Sequence, residues 1–279
     1  MASNLVLRIA VSAVVIPLAV GAIWLGGWPL AVALAALGVL GTREVYDLAR
    51  RQGIDALDRT GWVAAAALPP LVYWGRSLAL YLAALWLMAV LVVALRRRGP
   101  SRRPLAAVAV TLFGVAYASG LLAFLIAIRH GINAPGRPFA YFCLTLFPLV
   151  ITWIGDTCAM AVGLRVGGPK LAPVLSPHKT RSGAVGGWVG SVVAAVLLGV
   201  LVLNRNGWNF AVWQLVTVGG VVGVVAQVGD IAESLLKREA GVKDSSLLIP
   251  GHGGVLDRLD SLYFVIPTAA GLFKLYGVI

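Results

Sequence analysis

The feature that most constrains this chain is a succession of apolar runs close to bilayer length. Nine can be drawn, near 5–26, 29–49, 61–75, 78–95, 105–128, 139–163, 183–203, 210–236 and 259–277. About 20 helical residues cross a hydrocarbon core. Charged residues make up only 12% of the chain, 59% is hydrophobic and the mean hydropathy is +0.90, whereas a soluble domain carries about 25% charge. The expected fold is therefore all-α: a polytopic integral membrane protein with about nine transmembrane helices. The third run is the weakest, being short and interrupted by Pro69 and Pro70, which predicts a kink or tilt. The last is short and contains Pro267 and Gly271. Only Arg8 and the α-amino group accompany the first run and no small-x-small site ends it, so it reads as a membrane helix rather than a cleaved signal.

The net charge is +12. Its cations cluster at the ends of apolar runs, which points to membrane topology and argues against a nucleic-acid partner. With the N-terminus placed in the cytoplasm, only Arg76, Arg129, Arg137, Arg205 and Lys274 of the 23 Lys and Arg residues fall on the far side. That bias predicts a cytoplasmic N-terminus and an external C-terminus in an inner or plasma membrane. The run Arg96 to Arg103 reads as a topological anchor in contact with anionic lipid. All eleven acids lie in or near the cytoplasmic segments. Topology does not demand this, so the chemistry is expected on that face. Glu44, near the end of the second run, reads as a cap or a surface pair, the other reading being that it lines the same cavity as the acid-bearing loops.

The acids within apolar runs carry more information. Asp230 stands seven residues before Lys237, about 10 Å along a helix. An ionisable group at that depth needs a partner and by default marks function. Asp230, Glu233, Ser234 and Lys237 fall on one helical face. Downstream, the chain reads from Lys243-Asp244 through Pro250-Gly251-His252-Gly253-Gly254 to Asp257-Arg258 and Asp260. Its glycines admit close backbone approach, and successive N–H groups there can form an anion nest. His252 reads equally well as a phosphate donor or as a residue that fixes the loop. Asp230, Asp257 and Asp260 could converge on one hard cation. Magnesium suits such a set, because it takes a few carboxylates plus water and substrate phosphates. Asp257 and Asp260 could alternatively cap the helix that follows.

A second constellation runs from Gly155 to Gly187. Asp156 lies inside the sixth run, and the loop beyond it supplies Lys170, Ser176, Lys179 and Thr180 among glycines and prolines. Cations, hydroxyls and free N–H groups suit a polyphosphate cradle, although the loop lacks the G-x-x-x-x-G-K-[ST] order. A plain positive-inside loop is the other reading.

These residues resemble the phosphatidate cytidylyltransferase family. Ser234, Lys237, Arg238, Lys243, Asp244, Ser246, Ile249, Pro250, His252, Gly253, Gly254, Asp257, Arg258 and Asp260 follow its signature without a gap. Upstream, Asp156, Ala159, Gly163, Lys170, Pro173, Ser176, Pro177, Lys179 and Thr180 match a second segment. Two positions depart: Ser182 stands where the family has Glu, and Met160 where it has Tyr. The motifs cover the C-terminal half. This divides the chain into N-terminal membrane helices over 1–136 and a catalytic region over 137–279, with cytoplasmic loops 164–182 and 237–258.

The resemblance implies cytidylyl transfer from CTP to phosphatidate, giving CDP-diacylglycerol and pyrophosphate. It also implies magnesium, with room for a second, monovalent cation such as K+, a membrane-lipid environment and a homodimer. The catalytic set would be Asp230, Lys237, Arg238, Asp257, Arg258 and Asp260. Asp156, Lys170, Ser176, Lys179, Thr180, Ser234, Lys243, Asp244, His252, Gly253 and Gly254 would bind substrate. Two other readings compete. A CTP-dependent lipid or polyprenol kinase would use the γ-phosphate, and an ion-coupled transporter would use Asp156 and Asp230 as intramembrane sites. The one-sided acids disfavour the transporter. A CDP-alcohol phosphotransferase is disfavoured because its Asp-Gly-x-x-Ala-Arg pattern is missing.

Overall fold

The computed structural model describes residues 2–75, 78–131, 137–251 and 253–279. Arg76 and His252 of the readings above lie outside these residues. Helix covers each apolar run. In chain order the helices are α1 (Ala2–Leu25), α2 (Gly27–Arg51), α3 (Asp58–Trp74), α4 (Ala79–Arg97), α5 (Pro104–Val115), α6 (Leu121–Arg129), α7 (Pro138–Val166), α8 (Arg181–Leu198), α9 (Val212–Glu239), the single turn α10 (Leu256–Leu259) and α11 (Leu262–Leu275). A π-helical turn, Ala116–Gly120, joins α5 to α6, and another, Gly199–Leu203, follows α8. A short antiparallel hairpin, β1 (Lys170–Ala172) with β2 (Ser176–Thr180), lies between α7 and α8 and pairs Lys170 with Thr180. Among the described residues, five helical stretches are long and apolar enough to cross a membrane: Gly27–Arg51, Pro100–Arg129, Pro138–Val166, Arg181–Asn206 and Val212–Glu239. The protein is an all-α membrane protein by length and composition of its helices. Pro69 and Pro70 are carried inside the single helix α3.

The chain forms two compact units, Met1–Ile126 with Leu236–Leu259, and Ala127–Leu235 with Asp260–Ile279. This grouping is spatial. The division at 136/137 expected from the motifs is functional, and the two need not coincide.

The first unit is organised around Tyr46, which is fully buried in α2. Its hydroxyl donates to the Thr111 carbonyl at 2.9 Å. The ring fits against Gly61 of α3 and Gly114 of α5, where any Cβ would collide with it. Thr42 donates to the Gly114 carbonyl at 3.2 Å and Ser119 to the Ala65 carbonyl at 2.8 Å. Without a hydrophobic drive between helices in lipid, small residues and interhelical hydrogen bonds of this kind hold helices together. Leu57, Val90, Ala94 and Val108 form an apolar cluster, with Trp86 packed against it.

The second unit follows the same rule more strictly. A Cβ at Gly187 would meet Ala159, one at Gly186 would meet Val162, and one at Gly190 would meet Cys158, so the backbones of α7 and α8 touch closely. Gly219 and Gly223 of α9 meet the Ser191 region of α8 in the same way. Gln227 donates to the Ala184 carbonyl at 3.0 Å.

Candidate active site

In the second unit, α7 ends at Gly167, whose φ of +64° begins the turn into β1. The hairpin returns the chain to the start of α8. There Thr180 is the N-cap, and its hydroxyl accepts the Gly183 N–H at 3.1 Å, meeting one of the donors a helix start leaves unpaired. Ser182 bonds the Gly167 carbonyl and lies 3.1 Å from the Thr180 hydroxyl. Ser182 thus ties the two ends of the hairpin together. This framework aims Lys179 at Asp230 of α9, and the two form an ion pair. Their side chains are 30% and 27% exposed, so the pair is reachable by a ligand. Asp156 lies within electrostatic range of both groups.

Lys237 shares a helical face with Asp230 and stands two turns away, which makes it one candidate partner beside a bound cation. The structure supplies Lys179 instead, because β2 carries its ammonium to the carboxylate directly while Lys237 is engaged elsewhere. Lys170 is exposed on β1 and Ser176 is half-buried on β2. Ser234 is buried. Asp260 accepts the N–H of Ser261 at 2.6 Å.

In the first unit, the end of α9 carries Lys237, which donates to Asp257 at 2.7 Å, with side chains 10% and 5% exposed. Asp257 also accepts the Ser245 N–H at 2.8 Å, the Ser245 hydroxyl at 2.8 Å and the Gly254 N–H at 2.9 Å. Burial pushes the Asp257 carboxyl upward, but the Lys237 hydrogen bond and the two loop N–H groups outweigh it and hold the pKa below the ordinary range. Gly253, at φ +82°, packs against this carboxylate. Arg238 donates to the Val242 carbonyl at 3.0 Å and is exposed, as are Lys243, Asp244 and Arg258.

Glu44 is not a surface pair: it is 2% exposed. Its carboxylate accepts the hydroxyls of Ser245 and Ser246 at 2.9 and 2.7 Å and the N–H groups of Val255 and Leu256 at 2.9 Å each. A Cβ at Gly254 would collide with both Glu44 oxygens and the Ser245 hydroxyl. Glu44 and Asp257 therefore hold Ser245 and the 254–256 turn between them, the single Ser245 hydroxyl hydrogen being shared between the two carboxylates.

Among the described residues, no group of three or more His, Cys, Asp or Glu side chains stands close enough to hold a metal ion. Magnesium usually needs only one or two carboxylates beside substrate phosphates and water. Asp230, with Asp156 nearby and a lysine standing where a cation is wanted, has the donor chemistry for it. In this arrangement the Asp257 oxygens are occupied by Lys237 and the loop donors.

The sequence profile of the cytidylyltransferase family matches residues 6–276. The chain belongs to the cytidylyltransferase family. A phosphatidate cytidylyltransferase of Brucella suis biovar 1 (strain 1330) is 42% identical over 166 residues, covering 60% of this chain and 56% of that protein. Phosphatidate cytidylyltransferase 5, chloroplastic, of Arabidopsis thaliana is 32% identical over 289 aligned residues, covering 94% of this chain and 70% of its own length. A Staphylococcus saprophyticus phosphatidate cytidylyltransferase is 42% identical over 122 residues, or 44% of this chain and 45% of its own. The aligned segment thus spans little more than half of the Brucella relative. Both motif segments lie inside the family match.

Proposed function

We propose that this cytidylyltransferase-family chain transfers the cytidylyl group of CTP to phosphatidate, releasing pyrophosphate and forming CDP-diacylglycerol for phospholipid synthesis. The observation that carries this reading is the 14-residue signature from Ser234 to Asp260, unbroken in a chain whose relatives are named for that reaction.

The chemistry needs no strong general base, because the phosphatidate phosphate is already an anionic nucleophile near neutral pH. One of its oxygens attacks the α-phosphorus of CTP in line, the bond to the β-phosphate oxygen breaks, and pyrophosphate leaves with that electron pair. What the chain must supply is position and charge balance. Lys179 and the N-terminus of α8, with Lys170, Ser176 and Thr180, would receive nucleotide phosphates. Lys237, Arg238 and Arg258 would offset charge on the lipid phosphate and the leaving group, with Ser234, Lys243, Asp244, His252, Gly253 and Gly254 shaping that end. Magnesium would neutralise and align the phosphate oxygens, held by Asp230 with Asp156 or with the sequence candidates Asp257 and Asp260. A second, monovalent ion is compatible with this many carboxylates. The active face is the cytoplasmic one, the helices number about nine, the N-terminus is inside and the C-terminus outside, and the enzyme is a homodimer in the inner membrane.

CTP labelled on the γ-phosphate distinguishes this reading from the kinase. With purified protein and phosphatidate, the label should appear in pyrophosphate. Label in a phosphorylated lipid, with CDP as the other product, would reassign the chain to phosphoryl transfer.

A further inference from the structure

Within the first unit, away from every residue assigned above to catalysis, substrate or metal, a crevice of about 730 Å³ opens where α2 ends, α3 begins, α4 ends and α5 begins. Its walls are the segments 53–60, 97–98 and 101–103. Five arginines line it, Arg59, Arg97, Arg98, Arg102 and Arg103, against two acids, Asp55 and Asp58. Asp58 is already engaged by Arg50 at 2.6 Å. Arg98 is spent on the frame: it donates to the Asp55 carbonyl at 2.7 Å, with longer contacts at 3.4 Å to the carbonyls of Ala56 and Arg102. That ties the 53–57 turn to the 98–103 turn and holds the crevice open. Arg59, Arg97, Arg102 and Arg103 are exposed, and among the described residues their guanidinium groups make no hydrogen bond or ion pair. Asp55 is the one acid left to balance four guanidinium groups.

Like charges do not gather around a concavity without cost, so an occupant of opposite charge is implied. The planar fork of arginine matches phosphate, and α3 and α5 bring their positive ends to the same wall. Depth selects the source. The crevice sits at the Arg51 end of the candidate span Gly27–Arg51 and at the Pro100 end of the candidate span Pro100–Arg129. That is the level of lipid headgroups rather than of bulk water or the hydrocarbon core.

We propose that this crevice is a binding site for a phosphate group, supplied by the headgroup of an anionic phospholipid and distinct from the residues that handle substrate. It turns the general affinity of a basic segment for anionic lipid into one bounded site, in which Arg59 of α3 acts together with the 97–103 turn. The proposal does not rest on the proposed reaction, and its test does not use turnover.

The protein is reconstituted in phosphatidylcholine nanodiscs containing a small fraction of spin-labelled phosphatidylglycerol. The motionally restricted fraction is read by electron paramagnetic resonance and compared with spin-labelled phosphatidylcholine. Wild type should retain phosphatidylglycerol selectively. The double variant Arg59→Gln/Arg102→Gln should lose that preference by about ten-fold or more, since each basic residue near the surface contributes about five-fold. Arg205→Gln, outside the crevice, should leave it unchanged. Monodisperse behaviour with an unshifted melting temperature establishes that the double variant is folded, and Arg102→Gln alone should give a partial loss. Equal selectivity in wild type and double variant would overturn the site. Displacement of the lipid by inorganic phosphate at matched ionic strength, with no preference for lipid, would assign it to free phosphate and overturn the lipid source.

Discussion

Asp230 and Glu44 pose the same physical problem at two places in the chain. Each is an acid well inside the C-terminal end of a long apolar helix, Asp230 nine residues before Glu239 and Glu44 seven before Arg51, and so about 14 and about 10 Å from those ends. The first is answered by Lys179, the second by four loop donors. The depth rule was legible in the sequence for Asp230. It would have found Glu44 as well, had the second helix been extended to Arg51 rather than ended near the acid. If the Asp230–Lys179 pair only satisfied itself, Asp230→Asn with Lys179→Met would recover the function lost in either single variant. The expected outcome is the opposite. Asp230→Asn should be folded and at least about 10²-fold slower, and the double variant should be no faster, in steady-state assays beside melting curves in detergent. Recovery in the double variant would remove Asp230 from cation binding.

Asp257 gives a pH prediction. Its folded pKa is depressed, so the stability it contributes is present above the unfolded carboxylate value, about 4, and is lost as pH falls through the lower folded value. Asp257→Asn should therefore melt lower than wild type at neutral pH, and the gap should close on acidification below about pH 4. A gap independent of pH would mean that the carboxylate is not charged in the folded protein. Lys237→Met leaves a buried, uncompensated charge and should cost about 3–5 kcal/mol, much of it regained with Asp257→Asn.

At the scale of elements, hydropathy placed the helices well because the bilayer rule acts on composition alone: each apolar run became helix. Three features were beyond its reach. The β1–β2 hairpin has only eight strand residues, in a loop rich in glycine and proline, and it is set between α7 and α8. The π turns at Ala116–Gly120 and Gly199–Leu203 leave no compositional trace. The Glu44 clasp joins residues more than 200 positions apart, and no local pattern encodes such a contact. The signature loop was legible as a motif, while its fold was not. Glu44→Gln replaces one acceptor with a donor facing N–H and O–H groups, which should cost about 1–3 kcal/mol. Limited proteolysis should then cut the 244–255 segment faster than in wild type, with cleavage elsewhere unchanged. An unchanged rate would show that Asp257 alone orders the loop.

Within each of the two units, small residues and interhelical hydrogen bonds hold the helices together, as is usual in lipid. Its topology rests on the distribution of cations, with five of 23 on the expected outer side. Reporter fusions should place 164–182 and 237–258 on the same cytoplasmic face, with the C-terminus opposite. Opposite faces for the two loops would break the account, since both must serve one reaction. That reaction is tested most directly with CTP labelled on the α-phosphate, using purified protein, phosphatidate and magnesium. The account predicts that label moves into the organic phase as CDP-diacylglycerol, only when phosphatidate is present, and that Asp230→Asn abolishes the transfer. Label that stays in water-soluble nucleotide with wild-type protein, or that enters lipid without phosphatidate, would contradict it.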